Sequence, residues 1–257
     1  MNDASERPPD ESNDALTFRL GPYLALILSA LIGSTALLAF TVFLFTGPWE
    51  ILTLTGDTTT ILVIDLGLSA IFFVQHSGMV RASFKAWFGR FVPEYYHGAT
   101  FSIVSGICLY GVIHFWQASD LSLLTANDAL RLVMRAVFFA ALGGIVWSYL
   151  ALHAFDSLGL QAIRYHLQNR SPPVAAFAVR GPYRWVRHPQ YFCVLLMIWS
   201  YPDLTADRLL FNVLWSTWIV IGTRLEERDL AVTFGDRYRE YQSRVPMLIP
   251  CPVKKPG

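Results

Sequence analysis

The sequence predicts an all-α, polytopic integral membrane protein of about five to six transmembrane helices, with a short C-terminal helical hairpin and a cytoplasmic amphipathic tail. Three observations carry that expectation. Hydrophobic residues make up 54% of the 257 and charged residues only 15%, against about one quarter charged in soluble domains. Mean hydropathy is +0.40. Apolar runs close to the roughly 20 residues that a helix needs to cross a bilayer core recur along the chain.

Taken in order, residues 1–17 are polar, with charges that are mostly acidic, and read as a disordered tail. They lack a basic n-region, and the apolar run behind them is too long for a signal peptide, so that run reads as a retained span. Leu20–Thr46 is the first span. "TTILVIDLGLSAIFFVQHSGMV" is the second, carrying Asp65 and ending near Gln75 and His76. "GATFSIVSGICLYGVIHFW" and "RLVMRAVFFAALGGIVWSYLALHAF" are the third and fourth, and their Gly106, Gly111, Gly143 and Gly144 are expected to let helices approach closely. After a polar, basic stretch come two shorter runs, "YFCVLLMIWSY" and "RLLFNVLWSTWIVIGT", split by "PDLTAD" and read as a tight hairpin. No internal repeat is visible. The chain divides into the tail, membrane helices over 18–155, and a basic part of the same membrane domain over 156–257.

The net charge of +1 gives no general bias toward nucleic acid, but its distribution is uneven. Thirteen of the 20 lysines and arginines lie from Arg164 onward. Basic residues follow spans two, four and six, whereas the loops after spans one and five hold only Arg208 between them. The excess of positive charge on cytoplasmic loops then puts both termini in the cytoplasm. Cys108, Cys193 and Cys251 are far apart, odd in number and without metal-ligand spacing, so they read as buried free thiols, and no metal site is expected.

Chemistry-bearing residues gather in three stretches. In "RGPYRWVRHPQYF" (Arg180–Phe192), Pro189 suits the first turn of a helix and His188 its entrance. A helix N-terminus beside Arg184 and Arg187 favours an anion, and Tyr183 and Tyr191 supply aromatic faces. The same residues would also serve as interfacial anchors. "TRLEERDLAVTFGDRYREYQSRVP" offers Glu226 and Glu227, which read either as a solvated ion-pair ladder with nearby arginines or as ligand acceptors. The hairpin between these stretches brings both to one membrane face. The third stretch, "HAFDSLGLQAIRYHLQNRSPP", leaves span four as a polar helix bearing Asp156, Gln161 and Gln168.

The first two motifs, in that order and with a hydrophobic hairpin between them, resemble the C-terminal half of the isoprenylcysteine carboxyl methyltransferase superfamily, membrane enzymes that use S-adenosylmethionine. "FFVQHSGMVRASFKAWFGRFVPE", "HAFDSLGL" and "VPMLIP" are similar to its bacterial methanethiol S-methyltransferase branch, which makes dimethyl sulfide. The resemblance covers roughly residues 60 to 252. It departs at "YYHGATF", where the branch has an "ERSTY"-like run, and at Gln161, where the branch has arginine. Both departures fall outside the cofactor motifs, where they could line the acceptor pocket.

The resemblance implies an S-adenosyl-L-methionine pocket built from Gln168, Tyr183, His188, Pro189, Tyr191 and Glu226 or Glu227. It implies an enzyme of the bacterial inner membrane, working in the lipid bilayer on a small apolar thiol such as methanethiol, with neither nucleic acid nor metal as partner. Arg184 and Arg187 are the expected fixed charges that ease thiol ionisation. His76, beside Gln75, is the candidate base or acceptor-site residue, or else a helix-end histidine bonded to backbone. Two other readings stand beside this one: a methyltransferase for a larger lipid or isoprenoid acceptor, and a non-enzymatic membrane sensor or assembly protein.

Overall fold

The computed structural model describes residues 11–54, 56–152, 156–173 and 177–250. Residues 1–10 of the expected tail, residues 153–155 of the "HAFDSLGL" motif and Cys251 lie outside them. Helix α1 (Glu11–Leu28) passes through a π-turn at Ser29–Gly33 into α2 (Ser34–Thr46). The chain is thus already helical at Glu11, inside the segment expected as a tail. There follow α3 (Thr58–Met79), the short α4 (Ala82–Phe88), α5 (His97–Phe115) and α6 (Asp128–Leu152). After these come α7 (Leu160–Leu167), α8 (Pro189–Trp199), α9 (Ala206–Phe234) and α10 (Asp236–Arg244). Leu20–Thr46, Thr58–Met79, Glu94–Phe115 and Asp128–Leu152 are long and apolar enough to cross a membrane. The protein is an all-α polytopic membrane protein.

Helices α2, α5, α3, α9 and α8 pack in a closed ring, with α6 laid along α8. The ring is filled by aromatic side chains. Trp215 stacks on Phe72 at 5.1 Å and on Phe211 at 4.9 Å, and Phe43 meets both Phe211 and Trp116 edge-on. Offset and edge-on contacts of this kind add to what burial alone provides.

At the end of the ring away from the basic loops, buried carboxylates clamp the connecting segments. Asp207 accepts from Trp116 Nε1 at 3.2 Å and from the Ser119 amide at 3.0 Å, and Asp65 accepts from the Gln117 amide at 2.9 Å. Arg131 forms a two-pronged pair with Asp203, both contacts at 2.8 Å. These clamps hold β1 (Ser122–Leu124) antiparallel to β2 (Leu204–Thr205), a pairing that nothing in the alternation of the sequence announces.

The C-terminal hairpin differs from the expected pair of short helices. Eleven residues make α8 about 16 Å long, roughly half a bilayer core, while the 29 residues of α9 reach about 43 Å. The helix does not stop where the apolar run ends at Thr223, because no residue before Gly235, at φ +60°, forces a break. α8 is short because it starts late. Gly181 lies against Ala151 and Trp147, and Cys193 against Gly144, so α8 begins beside the last turns of α6 rather than beyond its end. The entrance to α8 is therefore recessed into the basic face.

Of the four glycines expected at helix contacts, Gly106 abuts Ile32 and Gly144 abuts Cys193, whereas Gly111 and Gly143 face open space. Cys193 is buried and Cys108 half-buried, both as free thiols. The tightest approach joins Gly98 to Gly159. Asp156 accepts the Leu160 and Gln161 amides at 2.9 and 2.7 Å and so caps α7, while Gly159 takes φ +67°. A Cβ on Gly159 would stand 2.0 Å from the Gly98 carbonyl carbon. Gly159→Ala is expected to destabilise the fold by about 2–4 kcal/mol, from the left-handed strain and the backbone clash together. A lowered thermal midpoint in detergent, with Gln161→Ala as the control, checks this.

Candidate functional site

Pro189 opens α8, and His188 precedes it in a non-helical geometry at φ −124° and ψ 66°. The amides of Arg187 and His188, just ahead of the helix, are both paired. They donate to the carbonyls of Pro246 at 2.9 Å and Met247 at 3.1 Å, so the "VPM" segment after α10 runs alongside the "RHP" motif. That contact gives the shared "VPMLIP" ending a structural purpose.

Beneath it lies Glu227, 6% exposed on the inner face of α9. Arg187 grips it with Nε on Oε1 at 2.9 Å and Nη2 on Oε2 at 2.7 Å. His188 Nε2 and the Tyr238 hydroxyl each reach Oε1 at 2.7 Å, and Gln242 Nε2 reaches Oε2 at 2.6 Å. Tyr238 and Gln242 can act together because they lie four apart on α10 and share a face. Arg187 uses its remaining nitrogen, Nη1, on the carbonyls of Gln242, at 2.9 Å, and Val245. Burial alone would raise the Glu227 carboxyl, but the hydrogen bonds from His188, Arg187, Tyr238 and Gln242 outweigh it and hold the group well below the usual carboxylate range. An ionised Glu227 can only accept, so His188 must donate through Nε2, which leaves Nδ1 for the other side.

On that other side stands Glu226. Its side chain is 39% exposed, with Oε2 at 3.8 Å from His188 Nδ1. Its charge acts on the hydroxyls of both Tyr183 and Tyr191. Burial, with the Glu226 charge adding to it, pushes the Tyr183 hydroxyl up to about 12, so it stays a proton donor at neutral pH. The Tyr191 ring stacks on the His188 imidazole at 5.6 Å. One turn down the same side of α9, between Glu226 and Trp218, a Cβ on Gly222 would meet nothing within 4 Å, so the helix surface is open at that point. The two adjacent glutamates thus differ in kind: Glu227 is saturated by protein donors, and Glu226 still has oxygens to offer.

The other expected site residues are dispersed. Arg184 is exposed, and Arg187 is committed to Glu227 and to backbone, so the two do not form a joint patch of free positive charge. Gln168 is exposed at the C-cap of α7, a helix that packs on α1, α5 and the Glu94–Tyr96 turn. His76 lies inside the ring, boxed by Phe101 at 4.9 Å, Trp218 at 5.1 Å and Phe72 at 5.3 Å. The alternative of a backbone-bonded histidine does not hold for Nδ1, which is buried without a hydrogen-bond partner among the described residues. Beside it Gln75 donates to Ser105 at 3.1 Å while its Oε1 also lacks a partner. Tyr238, Gln242, Gly222 and Trp218 escaped sequence reasoning. The "EYQSRVP" stretch carried a signal for Gln242, since its spacing from Tyr238 matches one helical turn.

The fold and this polar cluster at one face define a membrane protein that gathers histidine, tyrosines and glutamates around the recessed entrance of a half-length helix. No family model matches the chain, and no solved structure does. Curated relatives do match. A methanethiol S-methyltransferase of Pseudomonas deceptionensis is 34% identical over 76% of this chain and 75% of its own length. One from Crocosphaera subtropica is 34% identical over 76% of this chain and 77% of its own. Methanethiol S-methyltransferase 1 of Bradyrhizobium diazoefficiens is 35% identical over 76% of this chain and 69% of its own. The chain belongs to the methanethiol S-methyltransferase family.

Removing the Glu227 charge leaves Arg187 buried and unpaired, so Glu227→Gln is expected to cost about 3–5 kcal/mol and to loosen α10. Faster hydrogen exchange over 236–250 would report it. The Glu227 carboxyl is depressed in the folded state, so its stabilisation is complete above the unfolded value near 4.5 and fades as pH falls through the lower folded value. The wild-type thermal midpoint should therefore drop on acidification below about pH 4.5 by a component that Glu227→Gln lacks.

Proposed function

We propose that this protein is an S-adenosylmethionine-dependent membrane methyltransferase that S-methylates methanethiol to dimethyl sulfide. On this reading it sits in a bacterial inner membrane with its basic face and both termini in the cytoplasm. Family membership supports the reaction. The observation that carries the site is the contrast between Glu226 and Glu227, one glutamate locked and the other open beside a donor pair of tyrosines.

The residues present suit the methyl donor. Glu226 can accept from ribose hydroxyls, and Tyr183 can donate to a carboxylate or ring nitrogen. His188, held through Nε2 by Glu227, turns Nδ1 toward the same space. Tyr191 and Trp218 offer aromatic faces that attract a sulfonium cation. The gap at Gly222 leaves room on the α9 face that joins Glu226 to Trp218. When bound, S-adenosylmethionine supplies an electrophilic methyl group whose departure leaves a neutral thioether, so no general acid is required.

What the chain must supply is alignment, exclusion of water and a destination for the thiol proton. Trp218, Phe72 and Phe101 exclude water around His76. His76 Nδ1, buried and unpartnered, is the proposed acceptor of the proton, with Gln75 Oε1 helping to orient the S–H group. Arg187 acts through Glu227 and His188 as a positioning residue and does not touch substrate. Gln168 and Arg184, exposed, are left outside the pocket.

Purified protein in detergent with methyl-labelled S-adenosylmethionine and methanethiol should release labelled dimethyl sulfide. A prenylated thiol in its place tests the larger-acceptor alternative, and methylation of that thiol with none of methanethiol would reverse the assignment. Glu226→Gln should weaken S-adenosylhomocysteine binding about tenfold or more, the loss of a charged hydrogen-bond acceptor. Gly222→Leu, which fills the gap, should weaken it similarly. Calorimetric affinities equal to wild type in both variants would refute the pocket.

A further inference from the structure

The basic face carries a cleft separate from the Glu226 cluster. This cleft, of about 230 Å³, lies between the end of α3, α4 and the start of α5, lined by Met79, Phe84, Lys85, Phe88, His97 and Phe101. Its outer rim, α4 with the turn that follows it, is interfacial by composition: Trp87 is 51% and Phe91 71% exposed, with Arg81, Lys85 and Arg90 along the same segment. Such a rim sits where an amphipathic ring or helix meets the headgroups. The inner wall is Phe101, and the same ring forms one side of the box around His76, 4.9 Å from the imidazole. Behind Phe101 lies a buried, unpartnered polar atom, His76 Nδ1, and the neighbouring residue on α3 carries another, Gln75 Oε1. Buried polar atoms without partners are rare enough to need an explanation. A thiol S–H, a weak donor, would satisfy either.

We infer that this cleft is the entry route of the acceptor, a small uncharged thiol arriving from the membrane interface, and that Phe101 is the gate that sets its size. The inference rests on the proposed reaction. It adds where the acceptor enters and which side chain excludes longer thiols. Along α9, Trp218 at the His76 box and Glu226 at the donor pocket are two turns apart, about 12 Å of helix rise, so the donor can lie between them. The thiol sulfur then faces the methyl group along that line. As the new sulfur–carbon bond forms, the sulfonium carbon–sulfur bond breaks, its electron pair stays with the departing thioether, and the thiol proton passes to His76 Nδ1. The cleft wall also contains His97 and Gly98, from the "YYHGATF" segment in which this chain departs from its branch, so acceptor preference is open to variation there.

The test compares kcat/KM for methanethiol, 1-propanethiol and 1-hexanethiol in wild type, Phe101→Leu and Phe101→Ala, with S-adenosylhomocysteine binding measured on each. A single methylene more or less in an apolar pocket changes discrimination by about 10–200-fold. The hexanethiol-to-methanethiol ratio should therefore rise about tenfold or more in Phe101→Ala and less in Phe101→Leu, with S-adenosylhomocysteine affinity within about twofold of wild type. An unchanged ratio in variants that still bind S-adenosylhomocysteine would overturn the gate while leaving the proposed reaction standing. Wild-type protein that methylates none of the three thiols would overturn the reaction itself, and the gate with it.

Discussion

The cluster around Glu227 decides what the rest of this structure can do. A carboxylate taken out of water survives only if its lone pairs are filled, and here Arg187, His188, Tyr238 and Gln242 fill them. Three separate pieces of chain meet here: the approach to α8 and α10 supply the donors, and α9 supplies the carboxylate. Each piece is polar and would be solvated on its own. Joined through one buried charge, they become a wall rigid enough to set the direction of His188 Nδ1. The site on the far side of that wall inherits its geometry from a group that takes no part in binding.

The membrane bundle supplies the complementary constraint. A half-length α8 leaves a recess at the basic face, and a full-length α9 passes beside it, carrying Trp218, Gly222 and Glu226 down one side from headgroup depth toward the aromatic core. The opposite end of α9 is pinned by Asp207 and the buried Arg208, which donates to the Leu44 carbonyl at 3.1 Å. With both ends held, α9 can serve as the fixed rail against which the donor and acceptor are aligned, which is what an in-line transfer requires.

The four long spans were legible because bilayer thickness is written directly as the length of an apolar run. The hairpin was only half legible. Hydropathy lost α9 at Arg224, where charges begin, although the helix continues to Phe234 because its backbone has no reason to stop. Within the site, "RHP" and "EE" were recognisable as motifs, but the division of labour between Glu226 and Glu227 was not. Adjacent helix positions differ by 100°, and which of them faces inward depends on where α10 docks, a tertiary fact. Arg187 read as free charge for the same reason. Phe101 was invisible because an aromatic inside an apolar run looks like any other core residue until its neighbours are known.

The backbone pairing of Arg187 and His188 with Pro246 and Met247 also imposes an order on the protein's making. Five spans' worth of helix can insert as they emerge, yet the wall behind His188 is built from residues synthesised almost sixty positions after it. Until the stretch from Tyr238 to Met247 has left the ribosome, Glu227 and Arg187 have each other but not the full set of Tyr238, Gln242 and the closing strand-like segment. The nascent chain is thus membrane-integrated well before it has a site. Quality control that sampled the protein in that interval would meet an exposed, half-paired charge cluster at the bilayer surface and no folded pocket.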